Sequence, residues 1–435
     1  MEKVVILGAG LAGLSCAYHL KEGYEIYEKE GEVGGVCRSK DIDGFTFDYD
    51  GHLLHFKNRY ALDLLKNLMD GNLAPHHRDS WIFSKGVFTR YPFQANFYGL
   101  PEDVIKECIS GLARARYSDP LKSHNGDGLT FEDWILRTFG EGIAKYFMIP
   151  YNNKFWTVHP SQLTCDWIGR FIPIPTLDEA LDGTLNDRES TIGYNSQFWY
   201  PIGGGIGEVA LAFKRKIKRV NLSKEAVRID VAKKEVTFSD GGKGKFDRLI
   251  STLPLPEIER LIHPLPKSLL SAFRKLKYLS IFNLNLGIGR ENISDRHWIY
   301  FPEEEFVFFR VGFPSNFSES TYPKGASSIY AEVSYSITRP IDKSSLTQRI
   351  VEDLIKGGII CKEDAIRVLD VVDIRYGYII YDRNHQKSVS AILKFLADND
   401  IFSIGRYGRW RYMSMEDVIL DGKQTARMLG PHAYA

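Results

Sequence analysis

The chain opens on an apolar run, VVILGAGLAGLSCAYHL, that breaks into elements by pattern. Residues 3–7 read as a short buried strand, GAGLAG as a turn and residues 15–21 as a helix; YEIYE, ending at Glu28, reads as a second strand. From 101 to 140, PEDVIKECISGLARARY and LTFEDWILRTFGEGIAKYF space their apolar residues as helices do, and Thr130 with Asp133 supplies a capped start. Residues 226–247 alternate as a hairpin, and RLISTLPLP follows as a returning strand. Between 278 and 380 lie the β-rich runs SIFNLNLGIG, WIYFP, FVFFRVGF, SSIYAEVSYS and AIRVLDVVDIRYGYIIY, which predict an antiparallel sheet. Within them YFPEEEFVFFR reads as a strand with Phe306, Phe308 and Arg310 on one face. A guanidinium in line with two phenylalanines either snorkels to water at an edge or has a buried task. Near the end, IFSIGRYGRWRYMSMEDVILDG reads as a strand, a glycine-rich turn and a helix from about Met415.

Composition narrows the class. The 435 residues are 44% hydrophobic and 26% charged, as in an ordinary soluble protein of two or three domains. A net charge of +1 gives no general attraction to nucleic acid or an anionic membrane. The five cysteines form no CxxC and no zinc-ligand spacing with histidine, which predicts reduced thiols, a cytoplasmic setting and no metal site. The opening run has no basic leader, and no uncharged run reaches the roughly 18 residues of a membrane span.

The glycines carry the first chemistry. Gly8, Gly10 and Gly13 stand in GxGxxG spacing around Leu11 and Ala12, after a strand and before a helix. Such glycines let the backbone approach a pyrophosphate, and the helix N-terminus offers amide hydrogens to it. Glu28, 20 positions after Gly8, is placed to accept from a ribose hydroxyl, with Lys29 beside it. This predicts an α/β fold with a Rossmann-type dinucleotide-binding domain. Its motifs lie at both ends of the chain, so the domain is discontinuous: 1–89 with 196–258 and 396–435. A helical domain, 90–195, and an antiparallel-sheet substrate domain, 259–395, are inserted into it.

GGVCRS, with Gly34, Gly35 and Arg38, follows Glu28 at once, and GFTFDYDGHLLHF comes next. Here the sequence resembles the large FAD family of amine oxidases, protoporphyrinogen oxidases and UDP-galactopyranose mutases. The resemblance implies that the double-glycine turn packs near the flavin phosphates. It also implies that the returning C-terminal segment, with Gly405, Arg406, Tyr412 and Met415, closes over the flavin. No Cys or His sits in a tether motif, so non-covalent FAD is expected.

Three further stretches, DGHLLHFKN, RYPFQANFYGLP and YNNKFWTVHPSQLTCDW, look like segments of the UDP-galactopyranose mutases, as do YFPEEEFVFFR and GRYGRWRY. The likeness implies that Tyr91 and Phe93 stack on a base, that Gln94 and Asn152 bond base or ribose edges, and that Trp156 lines the wall. It further implies that Arg310 grips a pyrophosphate beside Tyr300, Tyr378 and Tyr412, and that His52 lies near the flavin. The family's second arginine falls at Phe171 here. Either Arg170, one place earlier, takes that task or the site has one arginine. DGH also stands where the family has GGH. The implied reaction interconverts UDP-galactopyranose and UDP-galactofuranose, or a related pyranose/furanose pair, for surface polysaccharide synthesis. It runs through a covalent adduct of reduced flavin and sugar, needs a reductant such as NAD(P)H or a flavin reductase, and leaves a homodimer open. The alternatives are an oxidase or desaturase of the same fold, and a flavin-binding protein without turnover.

Overall fold

The computed structural model describes residues 2–117, 128–169, 171–187, 192–193 and 196–429. Among them, five short parallel strands form one sheet, in the order Ile401–Ser403, Arg248–Ser251, Val4–Leu7, Tyr24–Tyr27, Val220–Asn221. Start, middle and end of the chain thus meet in one layer, which a strictly local reading of the pattern would separate. Val4–Leu7 is buried along its whole length, as a strand covered on both faces must be. The helix Leu11–Leu20 starts four residues before the expected position. Its residues 11–17 are all buried, so no amphipathic stripe marks where it begins. It packs on Met415–Leu429 closely enough for Ser15 Oγ to donate to Ile419 O at 2.6 Å.

The expected hairpin is a meander of Ala226–Asp230, Glu235–Phe238 and Lys243–Lys245, extended by a parallel pairing with Ile262–His263. The helical region holds Glu102–Tyr117, Phe131–Ile143, Ile149–Trp156 and Leu177–Leu185. Thr130 and Asp133 form the expected capping box, a contribution of about 1 kcal/mol.

The large sheet runs Ile366–Ile379, Tyr278–Ile288, Ser327–Tyr335, Arg310–Gly312, Trp298–Tyr300, Ser80–Ser84, Val87–Arg90. Its pairings are antiparallel except Trp298–Tyr300 against Ser80–Ser84, which is parallel. Ser80–Ser84 and Val87–Arg90 therefore belong to this sheet rather than to the dinucleotide layer.

YFPEEEFVFFR is not one strand. Trp298–Tyr300 and Arg310–Gly312 pair with each other, Tyr300 opposite Arg310, and residues 301–309 form the connection. Phe301, Phe306 and Phe308 in that connection are buried against each other beside the helix Lys343–Lys356, so packing, not strand alternation, produces their spacing. Lys154, only 2% exposed, ties the connection down: its ammonium donates to Phe301 O at 2.7 Å, Glu303 O at 2.5 Å and Phe308 O at 3.2 Å. The connection thereby fixes Arg310 at the start of its strand.

Candidate active site

A cavity of about 800 Å³ runs from the glycine turn after Val4–Leu7, between the layers, to the end of the large sheet where Tyr300 faces Arg310. Of the site residues expected from sequence, Gly13 and Phe93 stand behind its wall and Arg170 lies outside the described residues; all the others line it.

At the first end Gly8 has φ +96°, and a Cβ there would overlap Thr252 Oγ1, so backbone alone fits this turn. Gly13 serves packing: a Cβ on it would overlap the Gly8 carbonyl. Glu28 is 6% exposed and accepts from Ala9 N at 2.7 Å and Glu30 N at 3.0 Å. Each carboxylate oxygen keeps a lone pair for a further donor. Gly34 and Gly35 close the turn from the other side, Gly34 N donating to Ala9 O at 2.9 Å. Arg38 spans the rim, bonded to Gly35 O at 2.7 Å and Glu32 at 3.1 Å, while Lys29 is exposed beside Glu30. Gly405, with φ +75°, presses within 2.7 Å of Ala12 if given a Cβ, and its N–H donates to Asp421 at 2.7 Å. Ser414 caps the helix that begins at Met415, accepting from Asp417 N at 3.2 Å. This end presents backbone amides, an acid and two helix N-termini to a bound dinucleotide. Cys37 also lines it; burial pushes its thiol up to about 12.

At the other end phenols converge. Tyr300 packs on Tyr91 at 5.2 Å and edge-on to Tyr151 at 5.5 Å, and Tyr378 stacks on Tyr412 at 5.9 Å. Burial pushes the Tyr91, Tyr151, Tyr300 and Tyr378 hydroxyls up, so they are neutral donors at any working pH. Arg406 lies 4.7 Å from both the Tyr378 and Tyr412 rings, and donates to Gly377 O at 3.0 Å and Met413 O at 3.4 Å. Asn152 is held by Met148 O at 2.7 Å and Gln94 by Pro173 O at 2.8 Å. Gln94 Oε1, Trp156 Nε1, Arg406 Nε and His52 Nδ1 are buried without a hydrogen-bond partner among the described residues. Unpaired buried polar atoms are costly, and their clustering on one cavity is the mark of a ligand site. Burial lowers the His52 pKa, aided by Arg406 and Arg310 and opposed by Asp50, so the ring is neutral.

Phe93 is not a base platform. It is fully buried, stacked on Phe147 at 5.0 Å and edge-on to Phe97 at 5.6 Å, and it supports the wall from behind. Phe171, in the second arginine's place, sets its ring edge-on to Tyr412 at 4.6 Å, and with Ile172 and Pro173 makes that wall apolar.

Arg310 is neither an exposed edge residue nor an unclaimed fork. Its Nε and Nη2 both donate to Glu332, the Nη2 contact at 2.6 Å, and Glu332 is fully buried. Burial works against the guanidinium's charge, and Glu332 outweighs it. Asp50, 8% exposed, lines the same cavity. A guanidinium has five donors on two edges. Glu332 takes the side edge, and the end edge of Nη1 and Nη2 is left for a bidentate ligand. Sequence reading misses Glu332, and meets Asp50 only as the first residue of DGH where the family has GGH. The available signal is SSIYAEVSYS, an acid in the middle of an apolar strand.

A family model for flavin containing amine oxidoreductases matches residues 11–429. The chain belongs to that family. A solved structure of reduced UDP-galactopyranose mutase superposes with a TM-score of 0.92 at 28% identity, covering 99% of this chain and 94% of that one. A probable UDP-galactopyranose mutase of Klebsiella pneumoniae is 25% identical over 175 residues, 39% of this chain and 44% of the relative, so the matched stretch spans under half that enzyme's length. A 4,4'-diapolycopene oxygenase of a Methylomonas species is 25% identical over 361 residues, 70% of this chain and 67% of the relative. Membership implies a flavin, and the glycine cradle, Glu28 and the facing helix N-termini fit one. No helix among the described residues is long and apolar enough to cross a membrane, and none of their His, Cys, Asp and Glu form a group of three or more that could hold a metal.

Proposed function

We propose that the chain is a flavin-dependent nucleotide-sugar mutase that interconverts UDP-galactopyranose and UDP-galactofuranose, or a related pair. The observation that carries this reading is the cluster of buried phenols that lines, together with Arg310, the same cavity as the dinucleotide cradle. Diphosphate oxygens need several donors that stay neutral or positive, and this end supplies them. FAD, held non-covalently at the cradle, would supply when reduced a nucleophilic nitrogen for the sugar's anomeric carbon. The chain's own groups then bind and position. Arg310 and the Tyr300, Tyr378 and Tyr412 hydroxyls take the diphosphate as negative charge grows on it in the transition state. Tyr91 offers a face to the base, with Gln94 and Asn152 at its edges and Trp156 behind. His52, neutral, offers Nδ1 beside the flavin.

The apolar wall of Phe171, Ile172 and Pro173 favours a second reading, an oxidase or desaturase of an apolar substrate. A panel of nucleotide sugars incubated with dithionite-reduced protein, products separated by chromatography, decides between them. A ring isomer of one UDP-sugar supports the mutase; oxygen uptake in step with an amine, porphyrinogen or polyene supports the second reading. Arg170→Ala assayed beside Arg310→Ala separates a two-arginine site from a one-arginine site.

A further inference from the structure

Lys154 does not line the cavity, yet it joins two of its walls. It stands on the helix Ile149–Trp156, whose Tyr151, Asn152 and Trp156 do line it. From there its buried ammonium reaches the connection between Tyr300 and Arg310, and all three of its hydrogens are taken by Phe301 O, Glu303 O and Phe308 O. Phe301 follows Tyr300 and Phe308 stands two places before Arg310, so the three bonds hold both ends of the connection. Tyr300 in turn meets Tyr151 of the same helix edge-on at 5.5 Å.

All three acceptors are carbonyls, so the match needs three hydrogens. A neutral amine has two hydrogens and a lone pair. When the proton leaves, one carbonyl loses its donor and faces that lone pair, and a buried carbonyl without a donor is costly. The connection has to shift to relieve it, and Tyr300 and Arg310 shift with it.

We propose that Lys154 is a positioning residue that works as a proton-dependent latch. The protonated ammonium holds Tyr300 and Arg310 against the helix of Tyr151 and Asn152, in the arrangement that takes the diphosphate, and the neutral amine releases them. The inference rests on the nucleotide-sugar reading and names a group that regulates that site from behind its wall.

The titration of the ammonium falls in the working range. Burial pushes Lys154 down to about 7, against the pull of Glu304, Glu303 and Asp353, with Arg339 adding to the fall. The charged groups facing it are engaged with one another. On the connection, Glu303 accepts from Ser84 Oγ at 2.8 Å and Lys85 N at 3.0 Å, and Glu304 pairs with Arg339. On the helix Lys343–Lys356, Asp353 accepts from Arg349 Nε at 3.1 Å and Val307 N at 2.8 Å, and Lys356 pairs with Glu305 at 2.7 Å. In the sheet Glu332 is paired with Arg310, and on the helix of Lys154 itself burial pushes the Tyr151 phenol up.

The test uses the protein loaded with oxidised FAD and UDP-galactose, whose diphosphate keeps a fixed charge over the range. Binding is measured by calorimetry from about pH 6 to 8.5, in pairs of buffers with different ionisation heats. Affinity should be level below about pH 7 and fall about tenfold toward pH 8.5, with close to one proton taken up per ligand there. Lys154→Met, with no hydrogen to donate, should bind weakly at every pH, at the level that wild type approaches at the alkaline end. Lys154→Arg, charged throughout, should show no fall. Flavin absorbance checks the folding of both variants. Melting temperature separates the latch from general loosening. Between about pH 7 and the unfolded lysine value of roughly 10.4, the unfolded chain holds the proton and the folded chain does not, so stability rises with pH. Wild type should therefore gain melting temperature relative to Lys154→Arg over the range in which its affinity falls. A level wild-type profile up to pH 8.5, a fall undiminished in either variant, wild-type affinity in Lys154→Met, or affinity and relative melting temperature falling together would overturn the inference and leave the mutase reading standing. No binding of UDP-galactose by wild type at any pH would overturn both.

Discussion

Replacing Arg310 by alanine separates what the residue does for the fold from what it does for a ligand. In the fold it makes two charged hydrogen bonds to Glu332, which is wholly buried. Breaking a buried pair by removing one partner costs about 3–5 kcal/mol. The lower end applies here, because burial already raises the Glu332 carboxyl, which can take up a proton once the guanidinium is gone. For a ligand, the end edge offers two more charged hydrogen bonds, each about 1.5–3 kcal/mol. Losing about 3 kcal/mol in the transition state lowers kcat/KM on the order of a hundredfold. Arg310→Lys restores a positive charge beside Glu332 but no planar fork, so it should recover most of the stability and only part of the rate. The assay is UDP-sugar isomerisation by reduced enzyme, run with thermal unfolding and flavin absorbance on the same samples. Flavin content should stay normal in both variants, since Arg310 stands at the far end of the cavity from the glycine turn. Near-normal kcat/KM for Arg310→Ala would refute the reasoning, whatever its melting temperature.

Gly8→Ala should strip the flavin: a left-handed alanine costs about 1–2 kcal/mol and displaces Thr252, so FAD affinity measured by fluorescence should fall about tenfold or more. Acid precipitation should release free FAD, because Cys37, the cavity thiol, is pushed up to about 12 and is no nucleophile; flavin remaining with the pellet would contradict this. Asp48 is raised to about 6 by burial against hydrogen bonds from Ser39, Tyr200 and Ile206 N. A carboxyl raised in the fold stabilises at low pH, and that contribution is lost as pH rises through about 6. Asp48→Asn should therefore gain melting temperature relative to wild type on going from pH 4.5 to 8; a constant difference would contradict the shift.

The dinucleotide end was legible because its signals are local: strand, glycines and Glu28 lie within one βαβ unit, and each part demands the next. The helix start at Leu11 was not legible, since residues buried on every side carry no period. The connection 301–309 read as strand because Phe306, Phe308 and Arg310 alternate, yet the spacing of the two phenylalanines comes from packing under Lys154's three hydrogen bonds. Phe93 looked like a base platform from its neighbours, and its place behind Phe147 depends on how the helical region folds over it. Glu332 was the hardest to see. Its meaning comes from standing opposite Arg310 in the sheet register, and no local pattern encodes that pairing.

The central claim is that a bound flavin here rearranges a nucleotide sugar without net electron transfer. Its most direct test counts electrons and products together: anaerobic, dithionite-reduced protein is given UDP-galactopyranose while flavin absorbance is recorded and the sugar nucleotides are separated. The account predicts many turnovers of a ring-isomerised UDP-sugar with the flavin reduced throughout, and none from the oxidised protein. Absence of any isomer from the UDP-sugar panel, with stoichiometric peroxide from an amine, porphyrinogen or polyene in air, would contradict it.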